Sequence, residues 1–394
     1  MNSYWGLLKT KGVARIMAAQ IFARFPSGMI SLGLLIHVEG LFGSYGAAGL
    51  VLAATSIGQG IAGPFTSRLM GSLGARSVLI ATTVICAAAL LGIAFLPMPL
   101  VGTIIVGLVA GLSFPPVQPA VRTMYPKLVE PAKLPRLFSI DASAQEIIWV
   151  FGPMMITLVA MQISSLVGLV VCSAMLVIGG AWFVSSPELG EVHFAPSSGN
   201  FGAVLLRGPV VLATVVGFLM IGSTAAIEAS VVNRFGEGGL RAGLTLAGMS
   251  VASLVAGIMF GHRQSGKFTL SIWMCTMLAG SMLAAQTDTF PMTLVAISLA
   301  GLGMAPALAI MFSLISSTIS FDQSAEAYGW ANTGQLVGAA VGSAAAGFLI
   351  DHSGSSGGFH VAAALAALAA VAPLAFFKVR DHRRGRLRRN RPIL

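Results

Sequence analysis

The sequence predicts an all-α membrane protein with twelve transmembrane helices, and three observations support this prediction. The chain has 394 residues, of which 56% are hydrophobic and only 9% are charged, whereas a soluble domain carries roughly a quarter charged residues. Twelve apolar runs have the length of about 20 residues that is needed to cross a bilayer. The basic residues fall almost entirely on one side of these runs. Soluble enzymes and nucleic-acid-binding domains are therefore excluded.

The predicted spans are separated by short polar breaks or by breaks that contain Gly and Pro. In chain order they cover residues 12–38, 44–67, 77–96, 100–121, 137–161, 163–185, 208–232, 241–261, 268–286, 292–315, 326–350 and 358–377. Such a succession of long apolar runs and short connections is typical of a polytopic membrane protein.

The distribution of Lys and Arg predicts the orientation of the spans. If both termini lie on one side, that side holds all but three of the 23 basic residues. The opposite side holds Arg234 and Arg241, and Arg24 lies within the first span. By the positive-inside rule both termini are then cytoplasmic, which requires an even number of spans. The basic C-terminal segment is explained by contact with anionic lipid headgroups, so no nucleic-acid partner is predicted.

An internal repeat predicts two pseudo-symmetric halves. The segment GLVLAATSIGQGIAGPF from Gly49 is similar to GMSVASLVAGIMFGHR from Gly248, and a polar stretch follows span 6. The predicted domains are an N-terminal six-helix half (1–186), a cytoplasmic linker (187–206), a C-terminal six-helix half (207–378) and a basic cytoplasmic tail (379–394). Halves of this kind, with a substrate site at their interface, are typical of alternating-access transporters.

The connection between spans 2 and 3 resembles the signature loop of the major facilitator superfamily. It reads GPFTSRLMGSLGARSVLI from Gly63 to Ile80. The positions that match the signature are Gly63, Pro64, Arg68, Leu69, Gly74, Arg76, Val78 and Leu79. The acidic position of the signature is Gly71 here, so the resemblance implies a weakened or differently built cytoplasmic latch. We expect Arg68 and Arg76 of this gating loop to contact the cytoplasmic ends of helices 4 and 11 in its place.

Span 5 resembles the drug:proton antiporter branch of the same superfamily. Its Gly152-Pro153 pair matches the antiporter signature, and Asp141 and Glu146 match two acidic residues that precede this pair in an actinobacterial-type exporter branch. Span 4 offers no membrane-embedded Arg where these antiporters usually have one. The resemblance implies proton-coupled efflux across a bacterial cytoplasmic membrane.

Ionisable residues within spans are candidate functional residues, because they are costly unless they pair or face a wet cavity. Arg24 lies about 18 Å along span 1 and Glu146 about 13 Å along span 5. We predict that they form a proton and substrate switch; the alternative is a permanent ion pair that only fixes packing. Asp141, about 140° around the helix from Glu146, fits a hydrated gate or a helix cap as well as proton transfer. Glu228 fits an outer gate or an exposed position equally well.

Polar and apolar residues complete the predicted site. The predicted cavity-lining residues are Gln59, Trp149, Met154, Asn332 and Gln335. The alternative is that the polar groups join helices and the apolar ones pack in cores or against lipid. The predicted helix breaks are at Pro26, Pro64, Pro115, Gly152, Pro153 and Pro306, since such residues are tolerated where freed backbone groups meet protein or a cavity.

These features together predict a secondary active transporter. We expect a monomer that exports a small, partly apolar organic molecule in exchange for protons. The sequence contains no ATP-binding motif, zinc spacing or nucleophile elbow, so no cofactor, metal or enzymatic activity is predicted. Two alternatives stay open: a proton-coupled importer or uniporter of a polar nutrient, and a non-transporting membrane receptor or lipid-handling scaffold.

Overall fold

The structure is a computed structural model that describes residues 4–194, 196, 199–236, 240–260 and 268–389, without the side chains of residues 4 and 377–389. All regular elements in this part of the chain are helical. The α-helices are α1 (Tyr4–Leu8), α2 (Val13–Arg24), α3 (Ile30–Phe42), α4 (Tyr45–Leu73), α5 (Ala75–Phe95), α6 (Leu100–Leu112), α7 (Val117–Leu128), α8 (Leu134–Gln162), α9 (Ser165–Ser185), α10 (Pro187–Glu191), α11 (Gly208–Phe235), α12 (Leu240–Phe260), α13 (Thr269–Ala285), α14 (Phe290–Gly301), α15 (Met304–Thr318) and α16 (Phe321–Arg389).

The described helices account for the predicted membrane crossings. Ten helical stretches in the described residues are long and apolar enough to cross a membrane. Two further crossings come from α13, which is apolar but has 17 residues, and from α16, which holds two predicted spans. Gly354 separates those spans with a non-helical backbone (φ 65°, ψ −164°), and this positive φ favours glycine. The predicted class, an all-α membrane protein with twelve helices, is confirmed.

Some predicted helix breaks are present. A short 3-10 turn, Phe25–Gly28, separates α2 from α3 at Pro26. The chain also breaks at Pro115, between α6 and α7. Near Pro306 the break lies slightly earlier, between α14 and α15, and Pro306 falls in the first turn of α15, where a missing N–H is tolerated.

The breaks predicted at Pro64 and at Gly152-Pro153 are wrong, because α4 and α8 continue through them. Pro64 cannot donate to the carbonyl of Gly60, four residues earlier. Thr333 Oγ1 donates to that carbonyl instead, at 2.7 Å, so the Gly60 carbonyl still accepts a hydrogen bond. Because Gly152 has no side chain, α8 can approach the turn at Gly28 closely. A Cβ at Gly152 would lie 2.9 Å from the backbone of Gly28.

The chain forms two compact units. The first comprises Met1–Leu205 and Ile315–Thr333, and the second comprises Leu206–Leu314 and Gly334–Leu394. The first unit has an apolar core that includes Leu34, Leu90 and Cys172. The predicted domain boundaries stay a prediction. Two predictions lie outside the described residues and side chains. They concern the contacts of the tail with lipid and the basic residues of the 261–267 connection.

Candidate functional site

Asp141 is the centre of a buried polar site in the first unit. It lies about two turns into α8 and is fully buried. Its Oδ1 accepts a hydrogen bond from Arg24 Nη1 of α2 at 2.7 Å, and its Oδ2 accepts one from Arg122 Nε of α7 at 2.7 Å. The two arginine side chains are only 6% and 1% exposed. One carboxylate therefore joins three helices.

Two glutamines extend this site. Gln20 Oε1 accepts from Arg24 Nη1 at 2.8 Å. Gln145 Oε1 accepts from Arg24 Nη2 at 2.8 Å and from Arg122 Nη2 at 3.2 Å. We call Gln20, Arg24, Arg122, Asp141 and Gln145 the buried ion network. Since buried charges require both a partner and hydrogen bonds, the amides make it tolerable for two cations to share one anion.

The predicted pairing of Arg24 with Glu146 is wrong, because the carboxylate bound to Arg24 belongs to Asp141. Helical side chains point back toward the helix N-terminus, so the long Arg24 side chain reaches one turn back along α2, to Gln20 and Asp141. Glu146 lies on another face of α8, about 140° from Asp141. It is buried as well, at 5% exposure.

Arg122 also corrects the sequence analysis, which placed it on the cytoplasmic side and found no embedded Arg in span 4. The break at Pro115 restarts the helix at Val117, and Arg122 is buried in the second turn of α7. Two spacings that the sequence analysis did not use could have identified the rest of the network. Gln20 with Arg24, and Asp141 with Gln145, are each four residues apart, which places each pair on one helix face.

The predicted gating loop is mostly helical, with a turn at Gly74 (φ 85°) between α4 and α5. Arg68 Nη1 lies 3.2 Å from Glu326 Oε2, and its Nη2 donates to the Gly199 carbonyl at 2.5 Å. Arg76 Nη2 donates to the carbonyl of Ser186 at 3.5 Å. Arg68 thus contacts α16, which begins with predicted span 11. Its role in gating stays a prediction.

Gly63 of this segment packs closely against α16. A Cβ at Gly329 would lie 2.7 Å from the Gly63 carbonyl oxygen. Glu326, one turn earlier, also accepts from the Gly202 N–H at 2.8 Å and from Trp330 Nε1 at 3.4 Å. The carboxylate is 2% exposed. Arg68 of the predicted gating loop is therefore paired with a buried acid on a distant segment of the chain.

The remaining predicted site residues lie outside the buried ion network. Glu228 is exposed on α11 of the second unit. Trp149 and Met154 are about half exposed, at 52% and 51%. Gln335 is buried, whereas Gln59 and Asn332 are half-buried. Their role in lining a cavity stays a prediction.

Comparison with known families decides the class of protein. The family model of the Major Facilitator Superfamily matches residues 16–269 and 212–393. The chain belongs to the major facilitator superfamily. Members of this superfamily are multi-pass membrane transporters and not enzymes, and they bind small-molecule substrates and often couple to protons. No curated protein matches the sequence.

Several solved structures share this fold. A bacterial homologue of the iron transporter ferroportin, in an outward-facing state, has a TM-score of 0.73 at 15% identity, over 93% of this chain and 100% of its own. The human organic anion transporter TETRAN has a TM-score of 0.71 at 15% identity, over 92% and 99%. The Escherichia coli fucose:proton symporter has a TM-score of 0.70 at 16% identity, over 92% and 98%. These TM-scores show a common fold.

Proposed function

We propose that this protein is a proton-coupled exporter of a small, partly apolar organic molecule, in the drug:proton antiporter branch. The proposal includes a monomer in the bacterial cytoplasmic membrane, with both termini cytoplasmic and anionic lipids at that face. The observation that supports proton coupling is the buried ion network. Ionisable groups within spanning helices are expensive and mark proton relays or substrate sites.

The network links charge to helix position. Asp141 holds Arg24 of α2 and Arg122 of α7 at 2.7 Å each. A helix movement that separates either arginine from Asp141 leaves a buried charge without its partner, which costs several kcal/mol. A proton or a charged substrate that restores the balance then favours the moved state. Such a difference in affinity between two states is what alternating access requires.

We assign different roles to the two carboxylates of α8. Asp141, held by two guanidinium groups, is the fixed anion that positions α2, α7 and α8. Glu146 is buried at 5% exposure on another face of the same helix, and we assign proton carriage to it. Because both residues lie on α8, a shift of this helix that follows protonation of Glu146 acts directly on the contacts of Asp141.

The outward direction of transport follows from the resemblance of span 5 to the exporters, which includes Gly152. That glycine allows α8 to pack closely against the turn at Gly28. Met154 and Trp149, on the same helix and about half exposed, offer a deformable apolar surface for varied organic molecules. Arg68 with Glu326 is assigned the cytoplasmic latch.

Proton movement in proteoliposomes tests the proposal. The purified protein is reconstituted with the pH-sensitive dye pyranine inside, and ethidium, chloramphenicol and benzoate are added as cationic, neutral and anionic probes. We expect at least one probe to drive proton movement opposite to its own. Glu146→Gln should abolish this movement and keep probe counterflow, since the amide resembles the protonated acid.

The matched control is Glu130→Gln, the same change at a carboxylate that is 75% exposed, and it should behave as the wild type. Proton movement in Glu146→Gln at the wild-type rate contradicts the assignment of the proton to this residue. Proton and probe moving in the same direction contradicts antiport. Everted vesicles that fail to accumulate the probe contradict export.

A further inference from the structure

A short segment near the end of the linker contacts both α4 and the start of α16. Residues 199–202 precede the 3-10 turn Ala203–Leu206, and they belong to the first unit together with α4 and residues 315–333. We call residues 199–202 the linker strap. Gly199 and Gly202 have positive φ angles of 93° and 79°, which residues with a side chain rarely adopt. The sequence thus specifies the tight path of this segment.

The backbone of the linker strap bonds to both partners of one ion pair. Arg68 of α4 and Glu326 of α16 lie 3.2 Å apart. The Gly199 carbonyl accepts a hydrogen bond from Arg68 Nη2 at 2.5 Å, and the Gly202 N–H donates one to Glu326 Oε1 at 2.8 Å. The strap therefore supplies an acceptor to the cation and a donor to the anion. Hydrogen bonds with one charged partner are stronger than bonds between neutral groups.

The side chain of Phe201 adds aromatic contacts to the same two helices. The centre of its ring lies 6.3 Å from that of Phe65 on α4, at an interplanar angle of 75°, and 5.8 Å from that of Trp330 on α16. Arg68 Cζ lies 6.0 Å from the centre of the same ring. Such ring pairs and cation–π contacts are favourable. Because Phe201 is 51% exposed, its ring can detach without opening the core of the unit.

We propose that the linker strap holds α4 and α16 together, and that it detaches from one of them before their cytoplasmic ends separate. The proposal rests on the assignment of Arg68 and Glu326 as the cytoplasmic latch, and it adds the strap to that latch. Three residues of chain span at most about 11 Å, so the strap cannot stay bonded to both helices when they move further apart. The strap therefore favours the closed latch, and a weaker strap increases the population of the open state.

Cysteine labelling of the full chain in nanodiscs measures the separation of the two helices. Ser67 of α4 is 1% exposed and lies one turn after Gly63, which packs closely against α16. Ser67→Cys is therefore a reporter that reacts with N-ethylmaleimide when water reaches this contact, because the reactive species is the hydrated thiolate. The exposed Cys275 is replaced by Ser, whereas Cys86 and Cys172 are kept because they are buried.

Phe201→Ala removes the ring contacts of the strap and should raise the labelling rate of the reporter about tenfold. Phe201→Tyr keeps the ring and should label at the rate of the unchanged strap. The matched control is Phe95→Ala, the same change at a phenylalanine that is 60% exposed. Phe95 ends α5, about 30 Å along that helix from its start, and its loss should not change the rate. Cys86 and Cys172 should stay unlabelled in every variant, which separates local opening from unfolding.

Glu326→Gln distinguishes a failure of the strap from a failure of the latch, because it removes the charge that pairs with Arg68. If Phe201→Ala labels as slowly as Phe95→Ala while Glu326→Gln labels faster, the strap proposal is overturned and the latch assignment stands. If neither Phe201→Ala nor Glu326→Gln raises the rate, both are overturned. Labelling of Cys86 together with the reporter in Phe201→Ala reveals general unfolding, which also contradicts the strap.

Discussion

The buried ion network of the first unit and Arg234 of the second unit both hold a guanidinium group away from water, but they satisfy it with different partners. In the network, Asp141 at 0% exposure serves two arginines. Arg234 is 5% exposed, and its acidic partner, Asp288 at 3.5 Å, is 97% exposed. The buried partners of Arg234 are neutral.

Those neutral partners are spread over several segments of the second unit. Arg234 Nη1 donates to the carbonyls of Ala284, at 2.8 Å, and Thr287, and Nε donates to Ser355 Oγ at 2.9 Å. The positive charge of Arg234 is stabilised by dipoles from several residues, so no single partner is essential. In the network the compensation is concentrated in one carboxylate. A site whose charge compensation depends on one proton-binding group suits a conformational switch. A site with many neutral partners suits a permanent structural contact.

The largest expected effect is that of Asp141→Asn. This change leaves two buried guanidinium groups without an anion, and we expect unfolding to become easier by about 3–5 kcal/mol. Thermal or urea unfolding of the purified protein measures the loss. The same change at the exposed Asp288 is the matched control and should have no measurable effect. Equal stability of the two variants would show that Asp141 contributes no more to the free energy of unfolding than Asp288 does.

Arg234→Gln should have a smaller effect. It removes charged hydrogen bonds to carbonyls, each worth about 1.5–3 kcal/mol, but a glutamine amide can still donate to part of the set. We expect a net loss near the lower end of that range, measured by the same unfolding assay, with transport retained. Arg241→Gln, at an exposed arginine of the second unit, is the control. Loss of transport without loss of stability would contradict a purely structural role for Arg234.

The smallest effect is the coupling energy within each site. Combining Arg24→Gln with Asp141→Asn removes a cation together with the anion, so the double variant should be more stable than the sum of the single losses predicts, by about 1–2 kcal/mol. The cycle of Arg234→Gln with Asp288→Asn should show nearly additive losses. A strong coupling in the second cycle would erase the distinction between the two sites.

The class of fold followed from the sequence because it depends on sums over many residues. Twelve apolar runs and a one-sided distribution of Lys and Arg are strong signals, since a single misplaced residue does not change them. The same averaging misplaced Arg122, which the orientation rule counted with the cytoplasmic residues. Its burial depends on the restart of the helix after Pro115, a local event that hydropathy does not register.

The details of the site depended on contacts between distant segments. Depth along the helices favoured Glu146 as the partner of Arg24, but the direction and length of the arginine side chain selected Asp141 instead. Pro64 is accommodated in its helix by Thr333, whose acceptor, Gly60, is 273 residues away in the chain. Neither partner could be chosen from the sequence, because the choice requires the three-dimensional neighbours.

The order of residues in the buried ion network has a consequence for biosynthesis. Arg24 precedes its carboxylate, Asp141, by 117 residues, and Arg122 precedes it by 19. At a translation rate of about 5–20 residues per second, the first helix waits on the order of ten seconds for its anion. An arginine at the centre of an inserting helix costs about 2.5–3.5 kcal/mol. During that interval the apolar residues of the first span must outweigh this cost, and Gln20 in the same span offers Arg24 a hydrogen-bond acceptor at 2.8 Å.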